Sequence, residues 1–540
     1  MNSTKVRYIS LLFFMLVYTF ASFPDDGNDF NLFDSFETDA FLSTTNFTLK
    51  ASADPIDVLS ILEALGVIDL LKERLYLRTY PLNFRNILDS PLFIWNWNQC
   101  DYCNDAGIYF FYNETSDFQF FGDSTKINSY LSVSQQCFID KLQAVLEAIK
   151  ETVAPDFDAE LPIDILSLVE NFTVQERRTG MLFNYFNKEG LVHVNLMLPL
   201  FYVERNHFVN EQIQQDIARI TEPIFGVPTE QEREEVQKRY FISDKLGWGD
   251  TRIELDFPGI DLPSFKLRPG IYTTLPTAHA FEKGLYGSTF SCCTRRPSLN
   301  LCELVDEQAA IADLSETMAS QFFLDALDQL SSQLLNPHLG NAGHLGLGVL
   351  ARTYSVLSTL INRPWAEAIE LQSRMSLEYL VPRTEVRSFV NRNPAAGFAG
   401  RNFNNAEQAA DNLAFITQII TDRFFPFCYC TCVQPGLIFR STSRALYQAK
   451  KWSIFLGSDS WLQTPESLSS IKAPACQVND LDLANAQRPL AYMGKVMGGI
   501  SYHKEKPTYA YTLSLNGDMA YISSGIGKDF TLSFNINIHF

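Results

Sequence analysis

The sequence of 540 residues predicts an all-β fold: a single transmembrane antiparallel β-barrel of about 14 strands, within bounds of about 12 and 16. Three observations predict this fold. Apolar and polar residues alternate along segments of about 10–17 residues, a length that is long for a soluble strand and suits a tilted membrane crossing. Long charged side chains occupy the polar face of these segments. The connections alternate between short turns and long loops over most of the chain.

The first 21 residues predict a cleaved signal peptide, so the chain is expected to be exported. Lys5 and Arg7 precede an apolar run, and Thr19-Phe20-Ala21 is an acceptable cleavage site with Ala21 as the last residue removed. An uncleaved anchor helix is the alternative. No later stretch approaches the ~18–20 uninterrupted apolar residues of a spanning helix. Such a chain can cross a bilayer only as a closed barrel, because lipid offers no partners to backbone N–H and C=O groups.

The composition excludes some classes of function. Lys and Arg total 43 against 62 Asp and Glu, and the net charge of −19 argues against a nucleic acid partner. The mean hydropathy of −0.05 is too apolar for a disordered chain and too polar for a helical membrane bundle.

The sequence predicts an acidic leader followed by an amphipathic helix in residues 22–74. It predicts the barrel in residues 75–540. Residues 24–49 contain six acidic residues and no Lys or Arg. Asp54 and Pro55 are a plausible N-cap and first helical position, and the helix is expected to end near Arg74. Its apolar stripe needs a partner. The helix could therefore plug the barrel or lie at its periplasmic face, and a soluble coiled segment is the alternative.

The alternation is clearest at the C-terminus, where apolar residues occupy every second position from Phe530 to Phe540. Consecutive side chains of a strand point to opposite faces. A soluble β-sandwich would show the same pattern, but a wet lumen accepts long charged side chains more readily than a paired soluble sheet does. We expect strands near residues 75–84, 90–98, 106–113, 174–186, 191–204, 248–256, 264–276, 342–358, 365–381, 433–448, 450–461, 490–503, 508–523 and 529–540.

The loops give an independent test of the barrel. If Phe540 ends in the periplasm, counting backwards places every long loop outside, as in outer-membrane barrels. Helical patterns at 304–335 and 405–424 predict helical insertions in two of these loops. The long loops are 114–173, 205–247, 277–341, 383–432 and 462–489.

Ten cysteines fit an oxidising compartment. An extended 428–432 segment would place three thiols on one face. We hypothesise that disulfides fasten the helical loops into an external cap; reduced, packed thiols are the alternative. Cys100 and Cys103 lack the second ligand pair of a zinc site, so no metal and no cofactor are predicted. The disulfide candidates are Cys292, Cys293, Cys302, Cys428, Cys430, Cys432 and Cys476.

The final strand resembles the C-terminal assembly signal of bacterial outer-membrane β-barrel proteins, which ends in Phe after apolar residues at alternate positions. The resemblance covers roughly residues 75–540 and is specific for the barrel class, not for one porin or transporter family. It implies a bacterial outer-membrane location, with outer-membrane lipid and the barrel-assembly machinery as partners. The residues that carry it are Phe530, Leu532, Phe534, Ile536, Ile538 and Phe540.

Charged residues on the polar faces are candidates for the lining of a pore. Opposed charges across a pore create a transverse field that selects small polar solutes. Alternatively, charges on neighbouring strands pair and fill the lumen. The candidates are Glu254, Lys266, Arg268, Arg352, Glu370, Arg374, Glu378, Arg440 and Arg444.

These patterns predict a porin or channel for the passive passage of small polar solutes. One alternative is a plugged transporter of apolar ligands, resembling the long-chain fatty acid transport barrels; another is a non-conducting adhesin or structural barrel. Metalloprotease, nucleophile-elbow and P-loop motifs are lacking, so no enzyme is predicted. His503 and His539 near a barrel rim are the only residues that we would name for catalysis.

Overall fold

The computed structural model describes 79–93, 104–116, 174–188, 192–207, 241–262, 265–283, 336–359, 361, 363–392 and 426–540, with scattered residues at 143–147 and 398–419. The signal peptide, the acidic leader, the helix predicted at 55–73 and the helical pattern at 304–335 lie outside these residues.

Eighteen strands and a few short helices form the described fold. The helices are α1 (Ala475–Val478) and α2 (Leu483–Ala486), with 3-10 turns at Ile87–Asp89, Leu357–Thr359 and Pro364–Ala368. The strands are β1 (Asn104–Ser116), β2 (Val174–Asn187), β3 (His193–His207), β4 (Ile242–Trp248), β5 (Thr251–Asp256), β6 (Ile260–Asp261), β7 (Lys266–Leu275), β8 (His279–Lys283), β9 (Gly346–Val356), β10 (Ile369–Leu380), β11 (Arg383–Phe389), β12 (Phe427–Gln434), β13 (Ile438–Gln448), β14 (Trp452–Gln463), β15 (Ser467–Ser469), β16 (Ala491–Glu505), β17 (Ala510–Ser524) and β18 (Lys528–His539).

Twelve antiparallel strands close the barrel. Paired neighbours run in the order β2-β1-β18-β17-β16-β14-β13-β10-β9-β7-β5-β3, and pairing of β3 with β2 completes the circle. β4 and β8 extend the wall beyond β5 and β7, and the two-residue β6 pairs with β7. β11, β12 and β15 form a separate sheet, which we call the cap sheet. The predicted all-β antiparallel barrel is confirmed.

Two of the 14 predicted strands are wrong where the structure describes them. Residues 79–93 are irregular apart from one 3-10 turn, and they lie inside the barrel rather than in its wall. Pro81 and Pro91 cannot donate to a strand ladder, and the Asn86 side chain caps the turn by accepting from the Leu88 N–H at 3.0 Å. The other predicted strands overlap the twelve strands of the wall, so the barrel has the lowest strand count that we expected.

The two faces of the wall have opposite chemistry. Along β18, Leu532, Phe534 and Ile538 are exposed on the outside, whereas Thr531 and Ser533 are buried on the inside. Lumen-facing Arg252, Arg374 and Lys495 are among the largest fully buried side chains. This arrangement is the reverse of a soluble sandwich, whose apolar faces meet in the interior, and it fits a lipid-facing wall around a polar lumen.

The two ends of the barrel differ. At the turn end lie the short connections β2–β3, β5–β7, β9–β10, β13–β14 and β16–β17, together with Asn104 and Phe540, which exchange backbone hydrogen bonds of 3.0 and 2.9 Å. At the loop end lie the connections 117–173, 208–241, 284–345, 381–437 and 464–490, and the short 525–527 turn. All five predicted long loops therefore connect strands at one end.

Within the described part of the chain, no helix is both long and apolar enough to cross a membrane. The described residues of 411–419 are helical, and Ile416 and Ile419 among them are buried.

Three of the candidate disulfide cysteines lie in the cap sheet. Cys428, Cys430 and Cys432 alternate along β12 and so share one face, as the sequence predicts. No disulfide joins these three to one another, and Cys428 Sγ lies 3.5 Å from Ser388 Oγ. Cys292, Cys293 and Cys302 lie outside the described residues, as does the side chain of Cys476. The disulfide hypothesis therefore stays a prediction.

Candidate functional site

A stretch of irregular chain occupies the lumen, and we call residues 79–93 the lumen segment. It descends from the loop end toward the middle of the barrel. Leu88 and Phe93 are completely buried, and Asp89 and Ser90 are each about 5% exposed or less. Segment and wall together form the interior of the protein.

Ion pairs hold the lumen segment to the wall. Arg85 lies 2.5 Å from Asp459 of β14, and Asp89 accepts from Arg252 of β5 at 2.8 Å. Arg252 also donates to the Leu88 carbonyl at 3.0 Å. Because each charge is buried, removing one partner would leave the other uncompensated in a medium of low dielectric constant. The segment is therefore held by contacts that need both partners.

A carboxylate beside the segment joins two wall arginines. Glu254 of β5 lies 2.5 Å from Arg352 of β9 and 2.6 Å from Arg374 of β10. Arg352 also pairs with Asp256. These charges neutralise one another across three strands, which favours our second interpretation of the lumen charges, as pairs that fill the interior.

The same pairing recurs around the barrel. Glu378 accepts from Thr274 at 2.8 Å. Arg440 lies 3.1 Å from Asp459, the carboxylate that also binds Arg85. Lys495 lies 3.0 Å from Asp518. Every one of these side chains faces the lumen.

The lumen also contains an apolar cluster. The Phe93 ring packs edge-on against Tyr109 at 5.8 Å and lies 5.6 Å from the ring of Phe111. The cluster is completed by Ile87, Leu88 and Leu92 of the segment and by Leu182, Met197, Phe201, Val203, Leu339, Leu446, Phe455 and Met497. The segment thus contacts the wall both through ion pairs and through apolar side chains.

The nine predicted pore-lining residues fall into two groups. Glu254, Arg352, Glu370, Arg374, Glu378 and Arg440 are buried in the lumen. The other three are more exposed. Arg444 donates to Gln372 at 2.8 Å, Arg268 lies 3.3 Å from His193 Nδ1, and Lys266 lies at the rim of the turn end, 62% exposed and 3.5 Å from Asp261. Lys266 is therefore not in the lumen.

Sequence reasoning missed the charged residues of the lumen segment. Because the sequence predicts strands for this stretch, Arg85 and Asp89 are not among the predicted pore-lining residues. A signal existed, because these are the only charged residues between Thr79 and Asn98. Arg252 and Asp459 were missed as well, although each lies on the polar face of a predicted strand.

A small cavity lies beside the lumen segment. It is at the loop end, has a volume of about 60 Å³ and has room for only a few waters. Arg85, Arg178, Arg205, His338 and Arg488 contribute to its lining.

Contacts between the cap sheet and the wall secure the entrance above the cavity. His344 Nε2 contacts Glu385 of β11, which pairs with Arg387 at 3.0 Å, and Arg387 reaches Glu466 at 3.1 Å. Burial raises the pKa of Glu385, but the His344 hydrogen bond and the Arg387 charge outweigh burial and lower the pKa to about 2. Glu385 is therefore ionised at neutral pH and links the cap sheet to the residues before β9.

A polar row crosses the turn end. Asp105 lies 2.6 Å from His539 Nδ1, and Thr512 Oγ1 lies 2.9 Å from His539 Nε2 and 3.0 Å from His503 Nδ1. The order carboxylate, imidazole, hydroxyl is that of a nucleophilic triad. However, β17 is paired on both sides, so its backbone N–H groups are engaged in the ladder rather than available to an oxyanion. The row therefore joins β1, β18, β17 and β16 at their rim. Among the residues that the structure describes, no three His, Cys, Asp or Glu are arranged to hold a metal ion.

No family model matches the sequence, and no curated protein matches it. Among solved structures, the chain is similar to an outer membrane channel from Pseudomonas putida F1, with 7% identity, a TM-score of 0.37, and coverage of 82% of this chain and 98% of that one. It is also similar to the CymD monoaromatic hydrocarbon channel, with 10% identity, a TM-score of 0.28, and coverage of 82% of this chain and 90% of that one. A third similar structure is the NanC porin, with 8% identity, a TM-score of 0.22, and coverage of 68% of this chain and 98% of that one. These TM-scores are too low to establish a shared fold, so the barrel assignment rests on the strand pairing of this chain.

Proposed function

We propose that the protein is an outer-membrane channel for small polar solutes and that the lumen segment closes it. The closed wall with an apolar outer face and a charged inner face supports a place in a lipid bilayer. The alternating apolar residues of β18, exposed on the outside, support recognition by the barrel-assembly machinery. The loop end would face the exterior and the turn end the periplasm.

One observation carries the closed state: the lumen segment is buried and bound to the wall by Arg85 and Asp89. A solute can pass only if the segment shifts. The ion pairs make this shift costly, since moving the segment away breaks them before water can replace them. We therefore expect an intact channel that is closed for most of the time and opens rarely.

Planar-bilayer recording tests this proposal. The double variant Arg85→Ala with Asp89→Ala removes both anchors, and we expect its open probability to rise at least about tenfold, the ratio for ~1.4 kcal/mol. Lys266→Ala is the matched control, because it removes a charge at the rim and should leave the open probability unchanged. If the double variant folds and shows no conductance, the channel proposal is overturned, and the protein is a non-conducting barrel.

The apolar cluster in the lumen supports a second candidate, a transporter of apolar ligands. Tyr109, Phe111 and Phe201 would offer an alkyl chain an apolar surface once Phe93 has moved. Uptake of a saturated fatty acid into proteoliposomes distinguishes the two candidates. Faster fatty acid uptake through the double variant, without passage of a polar sugar, would favour the apolar ligand.

A further inference from the structure

Arginine side chains from separate parts of the chain surround the cavity at the loop end. Arg85 belongs to the lumen segment, Arg178 to β2 and Arg205 to β3, and Arg488 follows α2. The first three are at most 6% exposed. The fold therefore brings guanidinium groups from the segment, the wall and a loop-end connection to one small space.

Carboxylates are fewer than guanidinium groups at this cavity. Among the described residues of the lining, Asp89 is the one carboxylate, and it accepts from Arg252 at 2.8 Å. Glu176 of β2 pairs with both Arg178 and Arg205, so these two arginines share it. A buried charge is stable only beside a partner of opposite sign. The lining is therefore suited to an additional negative charge.

Three N–H groups of the lining have no hydrogen-bond partner among the described residues. They are the Nε–H of Arg85, the Nε–H of Arg178 and the Nε1–H of Trp461, whose side chains are all more than nine-tenths buried. Other donors of the same arginines are engaged, because Arg85 Nη2 lies 2.5 Å from Asp459 and Arg178 Nη1 donates to the Arg85 carbonyl at 2.7 Å. A buried donor without an acceptor is costly, so three around one cavity indicate that an acceptor binds there.

The imidazole of His338 also lines this cavity. Burial and the positive charges of Arg205, Lys245 and Arg488 lower the pKa of His338 well below its ordinary value of 6.5. The imidazole is therefore neutral at neutral pH, and the arginines hold the positive charge of the cavity. Water could accept from the unpartnered N–H groups, but only an anion would also offset the charge of the arginines.

We infer that this cavity is a binding site for a small tetrahedral oxyanion, phosphate or sulfate. Its volume of about 60 Å³ has room for roughly four waters, which suits such an anion better than a bulky organic acid. Guanidinium groups bind oxyanions through their planar array of N–H donors. Because Arg85 lies in the lumen segment and Arg178 in the wall, the bound anion bridges the two. The site depends on the fold and not on conductance.

Calorimetric titration of the full-length protein in detergent tests the inference. The protein is first dialysed into a buffer without oxyanions, and sodium phosphate and sodium sulfate are the probes. Sodium gluconate at the same ionic strength is the control, because gluconate is too large for the cavity. We expect saturable heat from phosphate and sulfate and none from gluconate. Heat that does not saturate, or that gluconate also produces, would overturn the site, and saturation by chloride alone would overturn its assignment to an oxyanion.

Two variants locate the site within the barrel. Arg178→Lys keeps the positive charge but removes the Nε–H and the planar array, and we expect phosphate affinity to fall at least about tenfold. Trp461→Phe keeps an aromatic ring and removes one neutral donor, so a smaller loss of about threefold is expected. Arg177→Lys is the matched control: Arg177 precedes Arg178 in β2, but its side chain lies on the opposite face, 44% exposed and 3.6 Å from Glu114. Its affinity should be unchanged.

The outcomes separate this inference from the proposed channel. Heat-modifiable migration confirms that each variant folds, and unchanged phosphate affinity in both Arg178→Lys and Trp461→Phe overturns the site. Saturable phosphate binding to a barrel that never conducts overturns the channel and leaves the oxyanion site. Conductance without any phosphate binding does the reverse.

Discussion

Two regions of the lumen segment are held by different physical means. At Asp89, the segment meets Arg252, which is surrounded by further buried charge pairs. At Phe93, it packs between Tyr109 and Phe111. Ion pairs lose their favourable energy at once when one partner is removed, whereas apolar contacts weaken with the area and volume lost. The ion pairs therefore set where the segment sits, and the apolar contacts set how firmly it is packed.

The largest effect is expected among the buried ion pairs. Glu254→Gln leaves Arg352 and Arg374 without their shared carboxylate, and we expect a loss of about 3–5 kcal/mol of stability. The temperature at which heat-modifiable migration is lost measures this change. Glu505→Gln, at a side chain that is 74% exposed, is the matched control. Equal transition temperatures for the two variants would show that the buried charges are not held as pairs.

A somewhat smaller effect is expected among the apolar contacts of the lumen segment. Leu88→Ala empties volume at a fully buried position of the lumen segment and should cost about 2–5 kcal/mol. Leu456→Ala is its control, because Leu456 is 71% exposed on the outer face. The same measurement applies, and a larger loss for Leu456 than for Leu88 would mean that the apolar contacts of the segment contribute little to packing.

Lowering the pH should weaken the charged contacts of the cap sheet and leave its apolar contacts unchanged. The pKa of Glu385 is about 2, below its ordinary value of 4.5, so its contribution to stability is present above pH ~4.5 and is lost as the pH falls toward 2. The protection of β11 and β12 against hydrogen exchange, expressed relative to the intrinsic exchange rate at each pH, should therefore fall across that range. Glu385→Gln should remove this acid-dependent step. A fall in protection that persists in the variant would assign it to another group.

The smallest effect is expected at the rim. Lys266 and Asp261 are 3.5 Å apart with side chains 62% and 78% exposed, and a solvated pair of this kind contributes less than about 1 kcal/mol. Lys266→Ala should leave both the transition temperature and the single-channel conductance unchanged. A marked change in the current–voltage curve would place Lys266 in the ion path after all.

The barrel could be predicted because its signal is periodic and local. Each residue of β18 faces outward or inward according to its position, so Phe534 and Asn535 could be assigned to opposite faces from the sequence. The pairing of Glu254 with Arg374 could not, because it depends on the register of strands distant in the chain. The lumen segment could not be predicted either, because its spaced apolar residues resemble a short strand. Its position inside the barrel follows from the structure, in which Arg85 and Asp89 are buried against wall charges.

The hydrogen bonds between Asn104 and Phe540 have a consequence for biogenesis. They lie in the seam between the first and the last strand of the barrel, and this seam cannot be sealed before β18 has been synthesised. Closing a ring of more than 400 residues carries an entropy cost that the final edge-to-edge pairing must offset. The lumen segment precedes β1 in the chain, so it is available to pack against the wall strands while the sheet is still curling.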